Sequence, residues 1–148
     1  PCSEITVVQS AEPLDKLAQR SVTGDAAAAI APRTLGGNLA IRDIGRDVGK
    51  KGMLDSDVLP YLLSLTRPTL MTQDLGYYNR AFRHRRYSLV VLAVADEDVA
   101  DFVVRVLRHP RFSASRLRMG SVVMAFHEGL RCWSLGCERE ERHLWLPR

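Results

Sequence analysis

The chain has 148 residues, of which 46% are hydrophobic and 26% charged, and its net charge is +4. That length suits one domain, residues 1–148, with a real core, and the balance is ordinary for a soluble globular protein. No run of about 18 apolar residues exists, so no membrane span is expected. The first residues lack a basic-then-apolar leader pattern, so export is not expected. Three cysteines, Cys2, Cys132 and Cys137, do not form a disulfide framework, and a reducing cytoplasm is the expected location.

In chain order, Glu4 to Val8 is a short β-prone run. Pro13 opens a helix reaching Arg20, with proline at a tolerated early position. Residues 21–38 hold an alanine patch between glycines and Pro32 and read as a short helix between loops. Leu39 to Ile44 is a second strand, followed by a glycine- and charge-rich loop to Gly52. Asp55 is a good N-cap for a helix from Ser56 to about Leu65, with Val58, Leu59, Leu62, Leu63 and Leu65 as its apolar face and Pro60 near the first turn. Thr69 to Thr72 is the third strand and Leu75 to Phe82 a short helix.

Ser88 to Val94 is a continuous apolar run, which suits a strand covered on both faces. Asp96 to Arg108 is the clearest helix: Val99, Phe102, Val103, Val106 and Leu107 recur at the spacing of one buried face. Asp96, Glu97 and Asp98 complement the helix dipole in its first turn, and Pro110 stops it. Ser121 to Ala125 is a last core strand, and Leu130 to Trp133 an extra edge strand before a polar tail. The alternation of strands and helices predicts an α/β fold, a three-layer α/β/α sandwich with a mostly parallel central sheet.

Charge is unevenly distributed. Residues 1–74 carry 8 Lys/Arg and 9 Asp/Glu, whereas residues 75–148 carry 13 and 8. Between Arg80 and Arg118 there are nine arginines, no lysine and four acids. The planar guanidinium matches pairs of phosphate oxygens, so Arg80, Arg83, Arg85 and Arg86, with His84, are candidates for contacts to a phosphate backbone. The same arginines also suit a plain solvated face. Tyr77 and Tyr78 suit base stacking, with core packing as the alternative for at least one of them.

The acids suggest chemistry. Asp74 follows the third strand, Asp55 opens the preceding helix, and Asp57 lies two residues on. In a parallel sheet, strand carboxyl ends and helix amino ends share one edge. Carboxylates gathered there would hold a hard divalent cation. Singly, Asp55 reads as a helix cap and Asp74 as a turn residue. His127, Cys132, Cys137 and His143 lack the tight paired spacing of a structural zinc site. His109, before Pro110, reads as part of a helix end.

The segments DIGRDVGKKGMLDSDVLPYL, PTLMTQDLGYY, RHRRYSLVVLAV, VLRHPRF and RMGSVV together resemble the PIN-like nuclease superfamily, in its small branch related to toxin–antitoxin ribonucleases. The resemblance spans roughly two thirds of the chain, and the Thr72-Gln73-Asp74 segment is its most specific piece. It implies Mg²⁺- or Mn²⁺-dependent cleavage of RNA in a three-layer domain, and a small antitoxin-like protein as inhibitor. Asp55 and Asp74 match the family's second and third acids, and Asp57 is a helper. The first acid falls on Ser10, with Glu12 nearest to it, and the family's middle arginine is Gln73. Ser10 raises the alternative of a catalytically weak or inactive module that binds RNA or a protein partner. A homodimer is compatible with either reading.

Overall fold

The structure is a computed structural model, and it describes residues 3–7, 39–43 and 55–147. Seven described strands are β1 (Ser3–Val7), β2 (Leu39–Asp43), β3 (Thr69–Thr72), β4 (Ser88–Leu92), β5 (Ser121–Phe126), β6 (Gly129–Ser134) and β7 (Glu141–His143). They form one sheet in the order β2-β1-β3-β4-β5-β6-β7. The pairings from β2 through β5 are parallel, whereas β5–β6 and β6–β7 are antiparallel. The described helices are α1 (Asp55–Leu63), α2 (Val99–Arg108) and the single turn α3 (Ser115–Arg118). The α/β class expected from the sequence is therefore present, on a mixed sheet. No helix among the described residues is long and apolar enough to cross a membrane.

The two-residue period of a strand assigns its side chains to opposite faces. On one face, Met71, Val90, Leu92, Val123 and Ala125 pack with Val99, Phe102, Val103 and Val106 of α2. On the other, Leu70, Leu89, Val91 and Val122 pack with Val58 and Leu62 of α1, closed by Tyr77 and Tyr87. Every residue of β4 is buried, as its uninterrupted apolar run requires.

Buried Arg118 ties the approach to β5 onto the start of β3. Its Nε donates to Thr69 Oγ1 at 3.0 Å, and its Nη1 donates to the carbonyls of Phe112 and Ser113 at 2.8 and 3.0 Å. Burial pushes this guanidinium down to about 10, so it remains charged at neutral pH. Neutral oxygens satisfy its donors without cancelling its charge.

Several elements depart from the sequence reading. Leu75 to Phe82 is not one helix but two 3₁₀ turns, Leu75–Tyr77 and Arg80–Phe82. Asp74 and Asn79 each accept from a backbone N–H two residues on, at 2.8 and 2.9 Å, and so start a fresh turn twice. Asp96–Asp98 is likewise a 3₁₀ turn ahead of α2. Pro60 lies in the second turn of α1, where its missing N–H does cost one helical hydrogen bond. Leu130 to Trp133 is not an edge strand, because β7 pairs outside it, with Leu130 opposite His143 and Cys132 opposite Glu141. The tail sequence Glu-Arg-His has no apolar alternation, so only this pairing makes it a strand. The helix expected at Pro13 to Arg20, the elements expected in 21–38, and the strand ends Val8 and Ile44 lie outside the described residues.

The tail beyond β7 is held by aromatic and polar contacts. Trp145 Nε1 donates to Phe126 O at 2.8 Å, its ring meets Phe102 edge-on at 5.5 Å, and Arg105 lies 4.3 Å over it. His109, the C-cap residue of α2, accepts the Arg111 N–H on Nδ1 at 3.2 Å, which leaves Nε2 as donor to Leu144 O at 3.2 Å. Burial holds the imidazole below the usual histidine range, and the positive groups of His143 and Arg111 act in the same direction. Folding thus favours neutral His109. This contribution is complete above the unfolded value of about 6.5 and is lost as pH falls below it, because the unfolded chain then binds the extra proton. Urea midpoints and Trp145 emission compared between about pH 7.5 and about pH 5 should show weaker tail docking at the lower pH. His109→Gln should flatten that dependence.

Candidate functional site

Five parallel strands point their carboxyl ends toward one edge of the sheet. The chain leaves β1 toward β2 on one side and leaves β3 toward β4 on the other. The carboxyl ends of β1 and β3 therefore flank the switch point, the place at which open α/β sheets bind ligands. Only a short connection joins α1 to β3, and α1 packs flat on the sheet through Val58 and Leu62. It therefore runs antiparallel to β3 and brings its amino end, beginning with Asp55, to the edge that bears Asp74.

Asp74 is half-buried and anchored. Its Oδ1 accepts the Gly76 N–H at 2.8 Å, and its own N–H donates to Thr72 Oγ1 at 3.1 Å. A Cβ on Gly76 would stand 3.1 Å from that Oδ1, so glycine leaves the carboxylate room to turn toward the backbone. Asp57 is exposed in the first turn of α1. Ser10 and Glu12, as well as Asp25, lie outside the described residues.

Two further acids reach the same edge. Asp43 is the last residue of β2, and Asp96 follows β4. Gln73 Nε2 bridges to Val94 O at 3.0 Å and to Asp96 Oδ1 at 3.1 Å, which fixes the orientation of its amide. Its Oε1 is buried and has no partner among the described residues. An unmet buried acceptor costs about 1–3 kcal/mol, so a donor or a cation there would be favourable. Asp98 stands 3.7 Å from His127, whose ring meets Phe102 edge-on.

The donors at this edge are hard oxygens, the chemistry that Mg²⁺ and Mn²⁺ prefer. Asp74 keeps its second carboxylate oxygen, Oδ2, outside the turn hydrogen bond, and with Asp55 it would be the donor pair for such an ion. Among the described residues, no three His, Cys, Asp or Glu side chains gather closely enough to hold a metal. The side chain of Asp55 lies outside that description. Cys132 is buried in the core beside Ser134, while His143 sits beside Glu141, so neither is a zinc candidate with His127.

The arginines expected to contact phosphate lie elsewhere. Arg83 donates from Nη1 to Ser134 O and Cys137 O, both at 2.9 Å, and from Nε to Arg80 O at 2.8 Å, so it braces the backbone. Arg80 lies 5.8 Å over the Trp133 ring. His84 stacks on Tyr87 at 5.1 Å and accepts the Arg86 N–H on Nδ1. Tyr78 donates its hydroxyl to Glu140 Oε1 at 2.6 Å, and burial, followed by that carboxylate, raises its pKa. Tyr77 is core, 5% exposed. Arg85 and Arg86 are exposed just before β4, at the amino edge of the sheet, and so belong to the end opposite Asp74.

Compared with known proteins, the chain matches no family model, no curated protein and no solved structure.

Sequence reasoning missed Asp43 and Asp96 at the acidic edge, although each ends or follows an apolar β-prone run, the same signal that singled out Asp74. It also missed Arg67 and Arg116, which only the parallel register brings together with Arg85 and Arg86. The Asp74 turn gives a direct check of its geometry. Asp74→Ala should lower stability by about 1 kcal/mol through loss of the cap, whereas Asp74→Asn, which keeps an acceptor oxygen, should cost almost nothing in urea denaturation.

Proposed function

We propose that the carboxyl edge is the active site of a metal-dependent endoribonuclease of PIN-like type. The observation that carries this reading is the position of Asp74 at the β1/β3 switch point, on the edge to which α1 brings Asp55. The sequence resemblance to the PIN-like superfamily, with its three-layer sandwich, supplies RNA as substrate and the toxin component of a toxin–antitoxin pair as the setting. A small antitoxin-like protein that covers the acidic edge would act as inhibitor.

In this reading Asp55 and Asp74 hold a Mg²⁺ or Mn²⁺ ion, with Glu12 or Asp57 as the additional carboxylate. The bound ion would supply Lewis-acid stabilisation of the phosphodiester and lower the pKa of an attacking water. Thr72 Oγ1 and the Gly76 N–H fix the Asp74 carboxyl in one orientation, which reduces reorganisation during the reaction. Gln73 secures Asp96 beside the site without adding charge.

A second reading is a module that binds RNA or a protein without cleaving. Two observations favour it: Asp74 Oδ1 is already engaged by the turn, and the first acid expected by the resemblance falls on Ser10.

A Mn²⁺-dependent cleavage assay on a fluorogenic RNA separates the two. The nuclease reading expects a loss of more than about 100-fold in Asp74→Asn, with an unchanged circular dichroism spectrum. Cleavage that survives undiminished in this variant removes the mechanism. Absence of any cleavage and of saturable Mn²⁺ binding in the unsubstituted protein selects the module.

A further inference from the structure

The opposite edge of the sheet carries its own constellation. The segments that lead into β3, β4 and β5 surround an open depression of about 520 Å³. Arg67, Arg85, Arg86 and Arg116 line it, with Leu65 and Met119 as part of its apolar wall. All four arginines are exposed. No hydrogen bond or ion pair engages their guanidinium groups among the described residues, and no acid lines the depression.

Three more arginines stand behind these four, and their partners are neutral. Arg83 and Arg118 donate to backbone carbonyls and a hydroxyl. Arg111 donates to Leu117 O at 2.5 Å and to Ser134 Oγ at 3.1 Å. These bonds satisfy the donors with neutral oxygens. They also fix the frame: Arg118 and Arg111 clamp the α3 turn that carries Arg116. Arg67 holds a left-handed backbone, with φ of 49°, a conformation that a non-glycine residue adopts at a cost. The fold keeps an arginine at a position that glycine would fill with less strain.

We propose that this amino-edge depression binds the phosphodiester backbone of a single-stranded polynucleotide through Arg67, Arg85, Arg86 and Arg116. Four free guanidinium groups on three separate segments present forks in several directions, which suits successive phosphates better than a single anion. The concave shape favours a strand over a flat lipid surface. Contacts of this kind hold a backbone without reading its sequence. β3 alone spans roughly 13 Å, so the depression lies well away from Asp74, and a strand engaged at both places must cross the molecule along the strand direction. The inference deepens the choice of RNA as ligand but does not depend on cleavage.

The test is fluorescence anisotropy of a labelled single-stranded oligoribonucleotide with the full chain in EDTA, at several salt concentrations. Arg85→Ala, Arg116→Ala and Arg67→Gly should each weaken binding several-fold and reduce the slope of log affinity against log salt by about 0.7. Arg67→Gly relieves the left-handed backbone, and urea midpoints check that all three variants remain folded. The assay runs without divalent metal, so failure of this site stays separate from failure of the nuclease reading, which Mn²⁺-dependent cleavage reads. An unlabelled deoxyribo-oligonucleotide should compete. Unchanged affinity in Arg85→Ala/Arg116→Ala would overturn the proposal. So would an equal loss in Arg142→Ala on β7, failure of the deoxyribo-oligonucleotide to compete, or binding to anionic phospholipid vesicles that oligonucleotide does not displace.

Discussion

Parallel pairing from β2 through β5 is the constraint on which the rest of this molecule depends. Parallel strands all end at one edge and all begin at the other, so whatever follows each strand collects on one side and whatever precedes it on the opposite side. In this chain acids follow the strands: Asp43 ends β2, Asp74 follows β3, and Asp96 follows β4. Arginines precede them: Arg67 before β3, Arg85 and Arg86 before β4, Arg116 and Arg118 before β5. These acids and these arginines thereby lie at opposite ends of the parallel strands. An antiparallel arrangement of the same strands would have mixed them.

The arginines divide into two sets by what they touch. Arg83, Arg111 and Arg118 donate to carbonyls and hydroxyls and act as struts among β3, β6, the α3 turn and the segment before it. A carboxylate partner would have served the same structural purpose but would have cancelled the charge. The struts bond to neutral oxygens, and the exposed Arg67, Arg85, Arg86 and Arg116 are unpaired among the described residues. At the other edge, Asp74 and Gln73 act locally: the one caps a turn and the other bridges the segment after β4, with Gln73 Oε1 unmet among the described residues.

Much of the fold was legible in the sequence where the local signal and the burial agree. The apolar run at Ser88 reads as a doubly covered strand because it is one. The helical face of Val99, Phe102, Val103, Val106 and Leu107 packs as its spacing requires. Legibility failed where distant partners decide. Glu141–His143 is a strand only through β6 and the anchored Trp145. The segment from Leu75 to Phe82 reads as one short helix in the sequence, but Asp74 and Asn79 each restart the chain in a short turn. For the candidate site, the strand-end logic that singled out Asp74 applies equally to Asp43 and Asp96, and Arg85 and Arg86, read from the sequence as phosphate contacts, precede β4 and so lie at the edge opposite Asp74. Arg67 and Arg116 carry no local signal at all, because their grouping is a product of register.

The separation of opposite charges along the strand axis is the central claim, and locating a divalent ion tests it most directly. Crystals grown with Mn²⁺ and measured at its absorption edge should give an anomalous peak beside the Asp74 carboxylate, on the edge that carries the amino end of α1. No peak at that edge, with the acids in place and Mn²⁺ ordered elsewhere in the crystal, would contradict the account.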